Sequence, residues 1–223
     1  MRLIAHRGFA AVHPENTVRA VRAAARVADA VEVDVRRCAT GELVVIHDAT
    51  VDRVTDGTGP VADHSLAELR ALDVLGTGEG VPTLSSVLEA VTDGVGVNVE
   101  LKEAGTAADA LAVVTDSGTD AWISSFAPDV LAAARTVDPS VPLAFLTADG
   151  GPAAVRAAVQ RDCTALHPAA GVCDARLVER AQAAGLTVNA WTVDRRTTAR
   201  SLADCGVDGV IADRPTVRPD DRG

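Results

Sequence analysis

The run Ala30-Val-Glu-Val-Asp-Val-Arg36 restricts the possible folds more than any other stretch of the chain. As a strand it puts Val31, Val33 and Val35 on one face and Glu32 and Asp34 on the other. Two ionised carboxylates about 7 Å apart on one face, set among β-branched residues, are very costly to bury unless a cation lies between them. About seven residues, Arg36 to Glu42 with Thr40-Gly41 as turn chemistry, lead to the next apolar run, Leu43–Ile46. That connection is too short for a parallel crossover. Leu43–Ile46 is therefore expected to return antiparallel and to carry His47 toward the carboxylates.

Outside this hairpin, strand and helix patterns alternate. Strands are expected at Arg2–His6, Ala30–Arg36, Val97–Leu101, Ala121–Ser124, Leu143–Leu146, Thr164–Leu166, Thr187–Trp191 and Gly209–Ile211. Helices are expected at Thr17–Ala30, Thr106–Asp116, Pro128–Val137, Pro152–Gln160, Asp174–Ala184 and Asp194–Asp204, with Gly185 and Gly206 where C-caps belong. Residues 48–94 are looser, with a capping box at Ser65-Leu-Ala-Glu68 and a helix from Pro82-Thr83 to about Val91. They read as an insertion after the second strand of one domain spanning 1–223. Eight strand units, the last followed only by the tail Asp213–Gly223, predict an α/β fold of the (β/α)8 type. A doubly wound open sheet is the second choice, and no GxGxxG follows the first strand.

In a barrel, chemistry belongs at the carboxyl ends of the strands. His6-Arg7, Glu32, Asp34, Glu100, Lys102, His167 and Trp191 all fall there, and Asn98, Glu100 and Lys102 share one face of the third strand. Hydrophobic residues make up 48%, enough for a large core, built of Val, Leu and Ala because there are only two Trp, three Phe and no Tyr. A net charge of -10 argues against nucleic acid and anionic membranes as partners. Cys38, Cys163, Cys173 and Cys205 form no CxxC pair, the chain enters a strand at once, and no apolar run approaches the roughly 20 residues of a membrane span. A cytoplasmic protein without a membrane anchor is the expectation. The basic residues number 21 and only Lys102 is lysine, so a role that arginine does not fill is expected of it.

His6-Arg7-Gly8, Pro14-Glu15-Asn16-Thr17, Glu32-Val33-Asp34, His47-Asp48, Thr55-Asp56-Gly57-Thr58-Gly59, Glu100-Leu101-Lys102, Ser124-Ser125-Phe126, Leu166-His167-Pro168 and Trp191-Thr192-Val193 follow one another along the chain. In this order they resemble the glycerophosphodiester phosphodiesterase family over essentially its whole length. The resemblance implies a TIM-type barrel that hydrolyses a small-molecule glycerophosphodiester to glycerol 3-phosphate and an alcohol, using a divalent cation, Ca²⁺ or Mg²⁺. It implies Glu32, Asp34 and Glu100 as metal ligands, hard oxygen donors suited to either ion, and His6 and His47 as the acid and base in an unassigned order. Arg7 and Lys102 would neutralise the phosphodiester. Attack by the substrate's own glycerol hydroxyl, giving a cyclic phosphate that water opens, is part of the same implication.

Several residues keep two readings. Asn16 either caps the first helix or reaches the substrate, and Trp191 either fills the core or walls the substrate pocket. Glu15 reads as a carboxylate at a helix N-terminus, Asp48 as a hairpin-end residue outside the site, and Thr55–Gly59 as a turn. His167 either lines the mouth or is structural; His13 and His64 read as solvated. Two other functions share the pattern: a lysophospholipase D or sphingomyelinase D-like activity on a lipid, and a non-catalytic barrel that binds phosphoesters. The first needs an apolar surface beside the mouth; the second should have lost one of the five central residues.

Overall fold

The computed structural model describes residues 1–218; the final five residues of the expected tail lie outside the described residues. Eight parallel strands form the frame: β1 (Arg2–His6), β2 (Ala30–Arg37), β4 (Gly96–Leu101), β5 (Ala121–Ser125), β6 (Leu143–Thr147), β7 (Ala165–Pro168), β8 (Thr187–Val193) and β9 (Gly209–Ala212). β1 pairs with both β2 and β9, so the sheet closes on itself and the open doubly wound alternative is excluded. β3 (Leu43–Val45) lies antiparallel on β2, with Val35 opposite Val45, as the short connection requires.

The helices are α1 (Val18–Ala24), α2 (Leu66–Ala71), α3 (Leu84–Leu88), α4 (Ala107–Ser117), α5 (Pro128–Val137), α6 (Gly151–Val159), α7 (Ala175–Ala183) and α8 (Arg196–Asp204). α1 is shorter than its Ala/Val/Arg pattern suggests. Thr17 caps its start by accepting from the Ala20 amide, and its tail is drawn off because Ala30 joins the sheet beside Ile4 and Gly96. α3 also stops early, at Leu88. β7 runs past its expected end and takes in His167 and Pro168.

The alternation in β2 divides two environments. Val31, Val33 and Val35 are wholly buried in the main core between barrel and helices, while Glu32 and Asp34 face inward. Fully burying one such valine contributes about 1.5–3 kcal/mol, so this face holds the register in which both acids enter the barrel. β3 divides likewise: Val45 joins the main core, and Val44 joins a second cluster with Val51, Val54, Val61, Leu69, Val74 and Val81. The 48–94 segment thus has its own small apolar core, seated on the barrel through β3.

Candidate active site

β2 pairs with β4 so that Asp34 lies beside Glu100 and Glu32 beside Asn98. This register brings one carboxylate oxygen from each of Glu32, Asp34 and Glu100 within 4.8 Å of one another, all three residues buried. The acids do not stand unopposed. Lys102 Nζ lies 2.5 Å from Glu100 Oε1 and 3.1 Å from Asp34 Oδ1, and Arg7 Nε lies 3.1 Å from Asp34 Oδ2. Glu32 Oε1 is buried without a partner, the kind of oxygen a cation would satisfy. Three hard carboxylates with an open lone pair fit Ca²⁺ or Mg²⁺.

Arg7 owes its position to a strained turn. Arg7, Gly8 and Phe9 have φ of 51°, 76° and 68°, and a Cβ on Gly8 would lie 2.8 Å from Ala20 Cβ. Non-glycine residues in this region cost about 1–3 kcal/mol each, so the turn needs anchors. Phe9 is wholly buried, the Arg7 amide donates to Glu32 Oε2 at 3.0 Å, and the Asn16 amide donates to the Arg7 carbonyl at 3.0 Å. Asn16 caps nothing, since Thr17 does that work. Its side chain donates to Asp34 Oδ2 at 2.9 Å, behind the cluster. Glu15 is not a helix-end charge either: it accepts from Arg7 at 2.9 Å and twice from Arg53 at 2.8 Å.

His6 ends β1 and His47 follows β3. The Ile46 amide donates to the Asp34 carbonyl at 3.0 Å and Arg36 Nε donates to the His47 carbonyl at 2.9 Å, which fixes His47 over the strand that carries the acids. Each imidazole has Nδ1 2.6 Å from a carboxylate, Asp213 for His6 and Asp48 for His47. A carboxylate only accepts, so Nδ1 carries the proton in both and Nε2 is free for chemistry. His6 Nε2 lies 3.9 Å from Glu32 Oε2.

The two histidines are biased in opposite directions. Burial disfavours the His6 imidazolium, but Asp213 and Glu32 outweigh it and hold His6 above its ordinary value. For His47 burial prevails over Asp34 and Asp48, and its pKa falls. Burial and the neighbouring Asp34 charge push Glu32 up to about 8, whereas Arg7 and Lys102 overcome burial and keep Asp34 low.

The cleft above these groups, about 410 Å³, has a charged side formed by His6, Arg7, Glu32, His47, Glu100 and Lys102. Phe126, Leu146, Trp191 and Ile211 form its apolar side, where Phe126 and Trp191 meet edge to face at 5.3 Å. Trp191 thus stands in the cleft wall, its ring held by a 2.8 Å bond from Nε1 to the His167 carbonyl. His167 is not at the mouth. Lying within β7, it is wholly buried in the barrel, with Nε2 3.0 Å from Asn189 Nδ2. Asp48, read from the sequence as a hairpin-end residue, is bonded to His47, and Asp213 and Arg53 were not singled out at all. The one available signal was place: Asp213 directly follows the last barrel strand.

The model of the Glycerophosphoryl diester phosphodiesterase family matches residues 6–217. A glycerophosphodiester phosphodiesterase of Caldanaerobacter subterraneus subsp. tengcongensis is 34% identical over 96% of this chain and 94% of its own. One from Bacillus altitudinis is 30% identical over 96% and 95%. Among solved structures, a phosphodiesterase of Oleispira antarctica in complex with the product sn-glycerol-3-phosphate superposes with a TM-score of 0.90, at 29% identity, covering 98% of this chain and 95% of that one. A glycerophosphodiester phosphodiesterase of Agrobacterium tumefaciens str. C58 gives 0.85 at 29% identity, covering 97% and 98%. This chain belongs to the glycerophosphoryl diester phosphodiesterase family.

Proposed function

We propose that the protein is a phosphoric diester hydrolase that cleaves glycerophosphodiesters to glycerol 3-phosphate and an alcohol. The observation that carries this reading is the meeting of three buried carboxylates with two carboxylate-backed histidines at one end of the barrel. Glu32, Asp34 and Glu100 would hold a divalent cation, Ca²⁺ or Mg²⁺, which when bound supplies Lewis-acid charge neutralisation at the phosphodiester. Arg7 and Lys102, which pair with Asp34 in the acid cluster, would bind the non-bridging phosphate oxygens.

The opposite bias of the histidines favours one division of their roles. His47, held neutral, takes the proton from the attacking hydroxyl, which the family resemblance identifies as the substrate's own glycerol hydroxyl. His6, held protonated, gives its proton to the departing alcohol oxygen as the phosphorus–oxygen bond breaks and a cyclic phosphate forms. Water then opens the ring, losing a proton to His6 while His47 returns one to the ring oxygen that leaves, which gives glycerol 3-phosphate. Asp48 and Asp213 keep each Nδ1 protonated so that Nε2 does the transfer. The Phe126–Trp191 side offers the carbon skeleton an apolar face.

Among the described residues no helix is long and apolar enough to cross a membrane, and the four cysteines are unpaired. The cytoplasm is the compartment we propose, with a small-molecule substrate. Phosphorus NMR of the protein with glycerophosphocholine and Ca²⁺ or Mg²⁺ tests the function. The diester signal should give way to that of glycerol 3-phosphate; a diester signal that persists with either ion would overturn the reading.

A further inference from the structure

We propose that Arg53 is a positioning residue, supplied by the 48–94 insertion, that braces the His47 and Arg7 arms of the site against each other. The proposal rests on the hydrolase reading above. Its geometry is a continuous chain of charge-assisted bonds. Arg53 Nε lies 2.5 Å from Asp48 Oδ2, whose other oxygen lies 2.6 Å from His47 Nδ1. The remaining two nitrogens of the same guanidinium donate to both oxygens of Glu15 at 2.8 Å, and Glu15 Oε1 accepts from Arg7 at 2.9 Å. One planar fork thus ties the acid behind a histidine to the acid behind a phosphate-binding arginine, a two-carboxylate geometry that a lysine ammonium cannot reproduce.

The insertion is built to aim this fork. Val51 and Val54, on either side of Arg53, are buried in its separate core. The turn between them is held by the Thr55 amide donating to the Val51 carbonyl at 3.0 Å and the Gly59 amide donating to Asp52 at 3.0 Å. The Arg53 side chain is 48% exposed, and ion pairs at that exposure add little to fold stability. Two of its three bonds instead cross from the insertion to the loop after β1, which carries Arg7, and the third reaches Asp48, directly after His47. Small displacements of such groups cost up to about 100-fold in rate.

The test compares wild type, Arg53→Ala and Arg53→Lys with glycerophosphocholine, alongside the ¹H–¹⁵N imidazole spectrum of His47. We expect Arg53→Ala to lower kcat by about 10- to 100-fold with KM within about threefold, and added guanidinium to restore part of the loss. Arg53→Lys should keep a kcat deficit of at least about threefold, and the His47 Nδ1–H signal should shift or broaden in both variants. If Arg53→Ala does not fold, Arg53→Lys carries the same comparison. Wild-type kcat in the variants would overturn the brace while leaving the hydrolase reading intact. Should the wild type prove inactive, the spectrum still decides, because an unchanged His47 signal in both variants overturns the brace without any activity.

Discussion

His6 and Asp213 are 207 residues apart in the chain and 2.6 Å apart in space. The bond joins the end of the first barrel strand to the residue after the last, so closure of the barrel and orientation of the imidazole proposed as proton donor are one event. Asp213→Asn is expected to lower kcat by about 10- to 100-fold. Asp213 raises the His6 pKa, so its loss lowers that pKa, and the alkaline limb of the rate profile should move to lower pH. A full pH–rate profile of the variant checks both; an unmoved alkaline limb would remove His6 as the proton donor.

The acid cluster predicts proton release on metal binding. Burial and the neighbouring Asp34 charge push Glu32 up to about 8, and it must ionise to act as a ligand. Near pH 7, Ca²⁺ or Mg²⁺ binding should therefore expel protons, and affinity should rise with pH until about 8. Calorimetry in two buffers of different ionisation enthalpy measures the release. Equal heats in both buffers would contradict it.

Lys102 is the lone lysine among 21 basic residues, and its ammonium lies 2.5 Å from Glu100 and 3.1 Å from Asp34. A broad guanidinium does not fit a slot where a compact charge meets two carboxylates. Lys102→Arg should lose at least about tenfold in kcat although the charge is kept. Wild-type turnover would show that the site needs charge alone.

His167 should govern acid stability. It is fully buried, and burial alone depresses its pKa to about 3 from an ordinary 6.5. Between those values the unfolded chain takes up the proton and the folded one does not, so stability present above pH 6.5 is lost as pH falls toward 3. The slope is about 1.4 kcal/mol per pH unit. Urea unfolding of His167→Leu against wild type from pH 7 to 4 should show a lower level at pH 7, since Asn189 loses its partner, and a flatter slope. Parallel slopes would contradict the account.

The sequence was most legible where periodicity and site coincide. The Val31-Val33-Val35 face left Glu32 and Asp34 only the barrel interior, and the same parity in Asn98-Val99-Glu100 put the third acid beside them. Residues that act through long-range pairing left no such trace. Asp213 finds His6 only once the barrel closes, and Arg53 finds Glu15 across 38 residues, with no spacing rule to announce either bond. Glu15 and Asp48 read locally as a helix-end charge and a hairpin-end acid, because their arginine partners, eight and five residues away, match no helix or strand spacing and Arg53 joins the two acids only in the folded chain. Of the two readings of His167 the structural one holds, for a simpler reason: β7 continues through Pro168, and two more strand residues turn a mouth position into a lumen position.

The most direct test of the central claim is glycerol 3-phosphate release from glycerophosphocholine, measured in chelator, in Ca²⁺ and in Mg²⁺, for wild type, His6→Ala and His47→Ala. The account predicts release by wild type with metal, none in chelator, and losses of at least about 100-fold in either variant. Full release in chelator, or by a protein lacking either histidine, would contradict it.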